Sequence, residues 1–386
     1  MNPSKFDVAI VGAGPTGSVL AILLARLVSD PSSIILFQSE QRSRYGVSAR
    51  EDQRVIAINE GTRVLLEDLG AWPDDAAAIT TIHVSQSGRL GRTVIRHDQM
   101  QVPALGYVVR YASLYESLQM AAERSRVTIR TGAAASLSQD ADSVLVDHEQ
   151  YVYRCRLGVK ADGMRKDITR ETYDQVALIG QVTVTSPKPG WAFERFTRQG
   201  PFAILPHPQS VDTQSIVWCC SPERAREILA LETHDLSQAM QQAFGDRLGT
   251  IIPSSTPLAS FALYKSYESE PVQGRLVSIG NAAQTLHPVA GQGLNLGLRD
   301  AATLAHCLRD WIANPGLSPD RALALFARLR SQDRQMTSRL TDIMSKVFTT
   351  GLAPLEHAAG LTLLGLDLMP GLRAILARQL MQGARA

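Results

Sequence analysis

Residues 8–17 have the sequence VAIVGAGPTG, a short apolar run that leads directly into a glycine-rich turn. Such a run is typical of a buried parallel strand. Apolar residues then recur at helical spacing over residues 16–27, and residues 34–37, IILF, predict a second strand. This order of strand, turn, helix and strand predicts the βαβ unit of a Rossmann-type dinucleotide-binding fold.

Each glycine of this turn has a separate physical role. Gly12 allows a tight turn, Gly14 lets the backbone approach a pyrophosphate, and Gly17 lets the helix pack closely on the strand. The pyrophosphate would lie at the helix N-terminus, where free N–H groups and the helix dipole attract anions. The motif alone is weak evidence, but its position between strand and helix favours nucleotide binding.

The adenosine ribose of such a nucleotide is usually held by an acidic residue at the end of the second strand. Gln38 occupies that position here, and Glu40 follows two residues later. Either the amide of Gln38 meets the ribose hydroxyls or Glu40 reaches them from the loop, and the sequence leaves both interpretations open.

A second glycine-rich motif lies far along the chain. Residues 280–295 have the sequence GNAAQTLHPVAGQGLN; they follow a predicted strand at 275–279 and lead into a helix predicted from about residue 293 to 308. Together with RVIAI at 54–58 and AFERFT at 192–197, this motif resembles the aromatic-ring flavoprotein hydroxylases, the family of 4-hydroxybenzoate hydroxylase.

Within that family, the form GNAAQTLHP is similar to the ubiquinone-biosynthetic branch, and more narrowly to the 2-polyprenyl-6-methoxyphenol hydroxylases of the UbiH type. Asn281 stands where most of the family has Asp. The resemblance covers nearly the whole chain except the last 35 or so residues.

The resemblance implies an enzyme that binds FAD, takes electrons from NADPH or NADH, and uses O2 as cosubstrate. Oxygen would add to the flavin C4a carbon, and the resulting hydroperoxide would hydroxylate a 2-polyprenyl-6-methoxyphenol, with ring position 4 expected. The alternatives are a sister hydroxylase of the same pathway acting at another ring carbon, a flavin reductase of a prenyl lipid, or an assembly subunit that keeps FAD for structure only.

The resemblance also implies which residues meet the flavin. Between the two glycine motifs, a third family motif, ADG at 161–163, is expected to help bind flavin and reductant. The flavin-site positions implied by the second and third motifs are Asp162, Gly163, Gly280, Asn281, Pro288, Gly291, Gly293, Leu294 and Asn295.

Two side chains are candidates for catalysis. Arg54 would place a fixed cation near reduced flavin, the alternative being a surface ion pair; His287 would touch the ring or relay a proton, the alternative being a hydrogen bond within its turn. Arg110 is a candidate for the pyrophosphate. We expect the neighbours Glu194 and Arg195 to form a structural pair, and we name no general base.

The predicted fold class is α/β: a three-layer, Rossmann-like FAD-binding domain interleaved with an antiparallel-sheet substrate domain, as in 4-hydroxybenzoate hydroxylase. A cleft between two such domains is a favoured site for a small molecule. The predicted segments are 1–81, 101–180 and 265–346 for the FAD-binding domain, 82–100 and 181–264 for the substrate domain, and 347–386 for a C-terminal helical tail.

Composition excludes several classes of protein. The formal net charge is +2 and the chain has no long basic tract, so we expect no nucleic-acid partner. The four cysteines, at 155, 219, 220 and 307, lack metal-binding or CxxC spacing, which predicts reduced, packed thiols and no metal site. The apolar run before Gly12 belongs to the fold rather than to a secretion signal, and no membrane-spanning segment is expected.

We therefore expect a cytoplasmic protein whose substrate is a polyprenyl phenol. The tail at 347–386 is apolar and interrupted by glycine and proline. It is expected either to pack on the FAD-binding domain or to contact the inner face of the plasma membrane or other proteins of ubiquinone biosynthesis.

Overall fold

The computed structural model describes residues 5–39, 54–88, 91–163, 170–285, 291–314 and 316–347. Strands predominate in it. In chain order they are β1 (Lys5–Val11), β2 (Ile34–Ser39), β3 (Val55–Asn59), β4 (Ala76–Ile79), β5 (Thr81–Gln86), β6 (Arg92–Arg96), β7 (Gly106–Arg110), β8 (Thr128–Gly132), β9 (Ser136–Gln139), β10 (Val144–His148), β11 (Tyr151–Lys160), β12 (Arg170–Val184), β13 (Trp191–Thr197), β14 (Gly200–His207), β15 (Ser210–Cys220), β16 (Ile251–Pro253), β17 (Ala259–Tyr267), β18 (Val272–Gln273), β19 (Leu276–Ser278) and β20 (Gln284–Thr285).

The helices are distributed along the described residues. They are α1 (Pro15–Ala25), α2 (Glu60–Asp68), α3 (His97–Met100), α4 (Tyr111–Arg124), α5 (Pro222–Leu229), α6 (Thr233–Phe244), α7 (Gln292–Ile312) and α8 (Asp320–Val347).

The first sheet has the order β18-β19-β11-β1-β2-β8, and its strands from β19 to β8 run parallel. Alternation along β1 gives the sheet two apolar faces. Val8 and Ile10 pack with α1, α4, α7 and α8 in the largest core cluster, whereas Ala9 and Val11 face β9, β10 and the start of β11. The result is three layers, as the sequence predicts.

The second sheet has the order β20-β17-β12-β15-β14-β13-β5-β6 and is antiparallel except where β5 pairs with β13. One of its faces is closed by α5 and α6 through a core that contains Phe202, Trp218 and Phe244. The rings of Phe202 and Trp218 stack with centroids 4.8 Å apart. The other face of the sheet is directed towards the remainder of the molecule.

A third sheet, β3-β7-β4, joins the two larger ones. Its residues Ile79 and Val108 pack against Ala192 of β13 and Leu205 of β14. This contact identifies the face of the second sheet that is turned towards the nucleotide-binding part of the chain.

The second sheet is longer than the predicted substrate segments. Its strand β12 begins at Arg170 rather than at 181, and β17 continues to Tyr267 and pairs with β20 of the second glycine motif. The pattern did not reveal the early start because residues 170–172 pair only with β17 and are separated from the rest of the strand by an irregularity between Thr172 and Val176. The predicted boundary at 181 therefore falls within β12, and the division of the chain into domains stays a prediction.

All four cysteines are buried free thiols, as the sequence predicts. Burial, with a smaller contribution from the charge of Asp7, raises the pKa of Cys155 to about 12. At neutral pH this thiol is therefore protonated and behaves as a small apolar side chain.

Replacing Gly17 with Ala is expected to destabilise the fold. A Cβ atom at Gly17 would lie 1.9 Å from the carbonyl oxygen of Gly12, so α1 must move away from the turn. We expect a loss of at least about 2 kcal/mol in the free energy of unfolding, measured by chemical denaturation. Gly14→Ser is the control, because a Cβ at Gly14 meets no atom within 4 Å and serine is a preferred N-cap residue. Equal stability of the two variants would contradict the packing described.

Candidate functional site

The three glycine-containing motifs meet at one edge of the first sheet. The carbonyl of Val11 accepts a hydrogen bond from the N–H of Ala161 at 2.7 Å, and the carbonyl of Lys160 accepts one from the N–H of Ile279 at 3.0 Å. The carboxyl ends of β1, β11 and β19 therefore lie side by side. In open α/β sheets this edge is where ligands bind.

Gly12 has to be glycine because two backbones touch there. Its φ is +109°, and a Cβ atom would lie 2.4 Å from the carbonyl carbon of Ala161 and 2.5 Å from Cα of Asp162. Gly280 has a φ of +60° and a Cβ there would lie 2.9 Å from Oγ1 of Thr16. The first motif is thus in direct contact with the other two.

Gly14 and Gly293 are different, because a Cβ atom at either meets nothing within 4 Å. Gly14 is the N-cap of α1, and no side chain caps the first turn of that helix. Free backbone N–H groups with open space before them fit a phosphate group. These residues therefore fit the pyrophosphate of a dinucleotide such as FAD.

Gln38 lies beside this turn, at the carboxyl end of β2. The N–H of Gly12 donates a hydrogen bond at 3.0 Å to the carbonyl of Phe37, the residue immediately before Gln38. The Gln38 amide donates to the hydroxyl of Tyr115 at 2.8 Å. Glu40 lies outside the described residues, so the choice between Gln38 and Glu40 for the ribose stays open.

Asp162 and Asn281 have exposed side chains at the same edge, next to Gly163 and Gly280. The N–H of Gly280 donates to Oδ2 of Asp300 at 3.0 Å, and the same oxygen accepts from the Gln284 amide at 2.9 Å. Through these two hydrogen bonds, Asp300 on α7 holds the start of the second motif in place.

Asp300 belongs to a buried ionic cluster that sequence reasoning missed. Nε of Arg330 on α8 donates to Oδ1 of Asp300 at 2.7 Å, and its Nη1 donates to Asp333 at 2.5 Å. Arg299 donates to Asp333 at 3.1 Å. Burial lowers the pKa of Arg330, but the two carboxylates outweigh it, so the net shift is upward and the guanidinium stays charged. The sequence signal that could have revealed this cluster is Asp300, an aspartate within the apolar face of the helix predicted from about residue 293 to 308.

Asn295 and Leu294 make contacts within the protein around the start of α7. The Asn295 amide donates to the carbonyls of Ala57 and Gly291, at 3.0 and 2.9 Å, and its oxygen accepts from the N–H of Asn59 at 3.0 Å. These bonds tie β3 to the start of α7, and Leu294 packs against the main core. Flavin contact by these two side chains remains a prediction.

Arg54, immediately before β3, lies between the first and second sheets. Its guanidinium carbon is 5.2 Å from the ring centroid of Tyr111 and 5.8 Å from that of Phe261 on β17. Aromatic faces favour a cation at such distances. Arg54 is therefore a cation held at this boundary, and its place near reduced flavin stays a prediction.

The predicted contacts of three other candidates stay predictions. Arg110 forms an ion pair with Asp75, whose carboxylate also accepts from the hydroxyl of Ser113 at 3.0 Å. The predicted contact of Arg110 with pyrophosphate therefore stays untested. His287 and Pro288 lie outside the described residues.

Glu194 and Arg195 do not form the structural pair that we expected. Adjacent residues of a strand point to opposite faces of the sheet. Nε of Arg195 donates to the carbonyl of Ala243 behind the sheet at 3.0 Å. Glu194 lies on the other face, which Ala192 of the same strand identifies as the one turned towards β7.

That face carries a row of residues in register across five strands, which we call the recess row. Its members are all partly exposed: Val84, Glu194, Ala203, Val217 and Ile179.

The neighbouring row that contains Phe196 is closed, whereas in the row that contains Ala192 only Ala192 and Ser215 are buried and Ile82, Leu205 and Gln181 are partly exposed. Ala192 on one side, and Phe196, Cys219 and Ala177 on the other, have at most 4% of their surface exposed. The partly exposed residues of the recess row therefore line a recess in the middle of the sheet. Apart from Glu194, its floor is apolar, which suits a hydrophobic ligand with few polar groups.

Among the described residues, no group of three or more histidine, cysteine, aspartate or glutamate side chains could hold a metal ion. In the same part of the chain, no helix combines the length and the apolar character needed to cross a membrane.

Comparisons with known proteins agree with this geometry. A family model described as "FAD binding domain" matches residues 5–316. The chain is 30% identical to ubiquinone hydroxylase UbiL of Rhodospirillum rubrum, covering 97% of this chain and 89% of the relative. It is 28% identical to 3-demethoxyubiquinol 3-hydroxylase of Escherichia coli, covering 95% of this chain and 96% of the relative.

Solved structures show a similar fold. The p-nitrophenol 4-monooxygenase PnpA of Pseudomonas putida has a TM-score of 0.76 at 16% identity, covering 99% of this chain and 100% of that one. PqsL of Pseudomonas aeruginosa, described as a probable FAD-dependent monooxygenase, has a TM-score of 0.73 at 18% identity, covering 92% of this chain and 99% of that one.

Gly14→Val is expected to leave the fold intact and abolish the binding of FAD. The valine side chain would fill the open space before α1, which the pyrophosphate needs, without touching any protein atom at its Cβ. Absorbance of protein-bound flavin after gel filtration measures the loss, and circular dichroism checks the fold. Full flavin content in a folded Gly14→Val protein would exclude this turn as the site.

Asp300→Asn is expected to destabilise the protein by about 3–5 kcal/mol, because it leaves Arg330 with less buried negative charge and weakens the support of Gly280. Chemical denaturation measures the change. Asp68→Asn is the control: its ion pair with Arg26 is exposed, so its loss should cost about 1 kcal/mol or less. Similar losses in the two variants would contradict the supporting role of the cluster.

Proposed function

Because the chain belongs to the FAD-binding-domain family of flavoprotein monooxygenases, we propose that it hydroxylates the aromatic ring of a polyprenyl phenol in ubiquinone biosynthesis. The observation that carries this proposal is the meeting of Gly12, Asp162 and Gly280 around the open helix N-terminus at Gly14. Relatives named as ubiquinone hydroxylases match the chain over nearly its whole length.

FAD, when bound, supplies the redox chemistry, with NADPH or NADH as electron donor and O2 as the source of oxygen. The protein supplies binding, orientation and exclusion of water. The N-terminus of α1 would hold the pyrophosphate, and Arg54 would place a positive charge at the boundary of the two sheets.

The recess row would hold the substrate. Its apolar members Val84, Ala203, Val217 and Ile179 are small or medium in size and partly exposed, which leaves room for an aromatic ring against the sheet. The phenol of a prenylated ring matches an apolar floor that carries one polar group. The recess therefore supports a lipophilic phenol better than a highly charged substrate.

The specific substrate that we propose is a 2-polyprenyl-6-methoxyphenol hydroxylated at ring position 4. A sister reaction at another ring carbon is the second candidate, and the relative named 3-demethoxyubiquinol 3-hydroxylase favours it. A cytoplasmic location with contact to the membrane or to pathway proteins through 347–386 remains a prediction, since residues 348–386 lie outside the described part of the chain.

Purified protein supplied with FAD, NADPH or NADH, and 2-geranyl-6-methoxyphenol under ¹⁸O₂ is expected to consume oxygen and to yield a product heavier by one ¹⁸O atom. Mass spectrometry measures the label, and nuclear magnetic resonance identifies the carbon that carries it. The same ring with its hydroxyl methylated is the control and should react slowly. Reductant oxidation without labelled product would contradict the hydroxylase proposal.

A further inference from the structure

We propose that Glu194 is a catalytic residue that binds the ring hydroxyl of the substrate in the recess and accepts its proton. The inference rests on the proposed function and deepens it, because it assigns the polar recognition of the phenol to one side chain. It is carried by the position of Glu194, by the absence of partners around its carboxyl, and by the neighbours that share its face.

The position of Glu194 follows from strand register. It lies opposite Val84 of β5 on one side and Ala203 of β14 on the other, and Val217 follows Ala203 in the same row. The carboxyl of Glu194 therefore lies between apolar residues on an interior strand of the second sheet. Without a ligand to meet, a carboxyl at such a position is unfavourable, since its desolvation is not offset.

Within the described residues, the Glu194 carboxyl has no hydrogen bond and no ion pair. Buried acidic side chains that serve structure are paired, as Asp300 is with Arg330. Glu194 instead lies deep in the protein with part of its surface facing the recess. Its oxygen atoms are therefore available to a molecule that enters there.

Burial raises the pKa of Glu194 to about 7. A base with a pKa near the working pH is well matched to proton transfer from a phenol. Among the described residues, the titratable and charged groups that face Glu194 from neighbouring elements do not compete with it for the proton of the phenol. Burial raises the pKa of Cys219 on β15 well above neutral, burial lowers that of His207 on β14, and Arg110 of β7 is paired with Asp75.

The proton step is balanced within the complex. The phenolic O–H bond breaks, its proton bonds to a carboxylate oxygen of Glu194, and the electron pair remains on the phenol oxygen. The ring becomes richer in electrons, which favours attack by an electrophilic oxygen. After hydroxylation, the proton returns from Glu194 to the oxygen of the product, so no further reactant is needed.

The test compares wild type with Glu194→Gln, which keeps the size of the side chain and removes the base. With 2-geranyl-6-methoxyphenol, kcat/KM of the wild type should rise about tenfold from pH 6 to 8, as a carboxyl of pKa near 7 ionises. Glu194→Gln should lower kcat/KM by about 10- to 100-fold at pH 8 and give a flat profile. Asp212→Asn, an exposed acid of the same sheet, is the control and should keep the wild-type profile.

Binding gives a second readout that does not depend on turnover. Perturbation of the flavin absorbance should show that wild type at pH 8 prefers the phenol to its methyl ether, and that Glu194→Gln loses most of this preference. Both proteins should bind equal amounts of FAD, because Glu194 is far along the chain from the glycine turn and on the other sheet.

Stability separates a catalytic role from a structural one. The raised pKa means that the folded state favours the neutral acid, so wild-type stability falls as pH rises from the unfolded value near 4.5 through 7. Glu194→Gln should therefore melt at the same temperature as wild type at about pH 4, below the unfolded value, and at a higher temperature at pH 8. A variant that is unfolded, or less stable at both pH values, would overturn the proposal.

The remaining outcomes are also decisive. A Glu194→Gln enzyme with the wild-type rate and pH profile would overturn the role of Glu194 and leave the proposed function standing. Wild type that binds FAD and oxidises reductant but hydroxylates no phenol would overturn both.

Discussion

The structure depends on one close approach between two backbones, that of Gly12 against Ala161 and Asp162. No side chain fits between them, since a Cβ atom at Gly12 would lie 2.4 Å from the carbonyl carbon of Ala161. This contact sets the distance between the ends of β1 and β11, and Gly17 sets that between α1 and the turn. The packing of these segments therefore directs the N-terminus of α1 towards the edge of the first sheet without any contribution from a ligand.

The second motif is held by charge rather than by close packing. Asp300 accepts from the backbone of Gly280 and from Arg330 of α8, both out of contact with water. Breaking a buried pair is costly because one charge remains without compensation. The last described helix thus supports the second motif, although none of its residues belongs to a recognisable motif. Glu194 is the contrasting case: a deeply placed acid whose partner is expected to be the substrate.

Much of the fold follows from local pattern. The strand, turn and helix around Gly12 and the helix after the second motif were predictable, because apolar periodicity and glycine spacing are local properties. The face on which Glu194 lies, the partner of Asp300 and the early start of β12 at Arg170 were not, because each is decided by pairing with distant strands or helices. Motif resemblance predicted which stretches come together, but it did not show that Gly14 has open space before it whereas Asn295 is hydrogen-bonded within the protein.

The strand order has a consequence for the synthesis of the protein on the ribosome. The central strand β1 is made first, yet its neighbour β11 and the outer strand β19 emerge much later. Roughly 270 residues separate Gly12 from Gly280, which at about 5–20 residues per second takes on the order of 15–55 s. During that interval the apolar surfaces of β1 and α1 are not yet covered by the later strands and helices that pack on them in the folded protein. The site formed by the three motifs therefore cannot be completed until Gly280 has been synthesised.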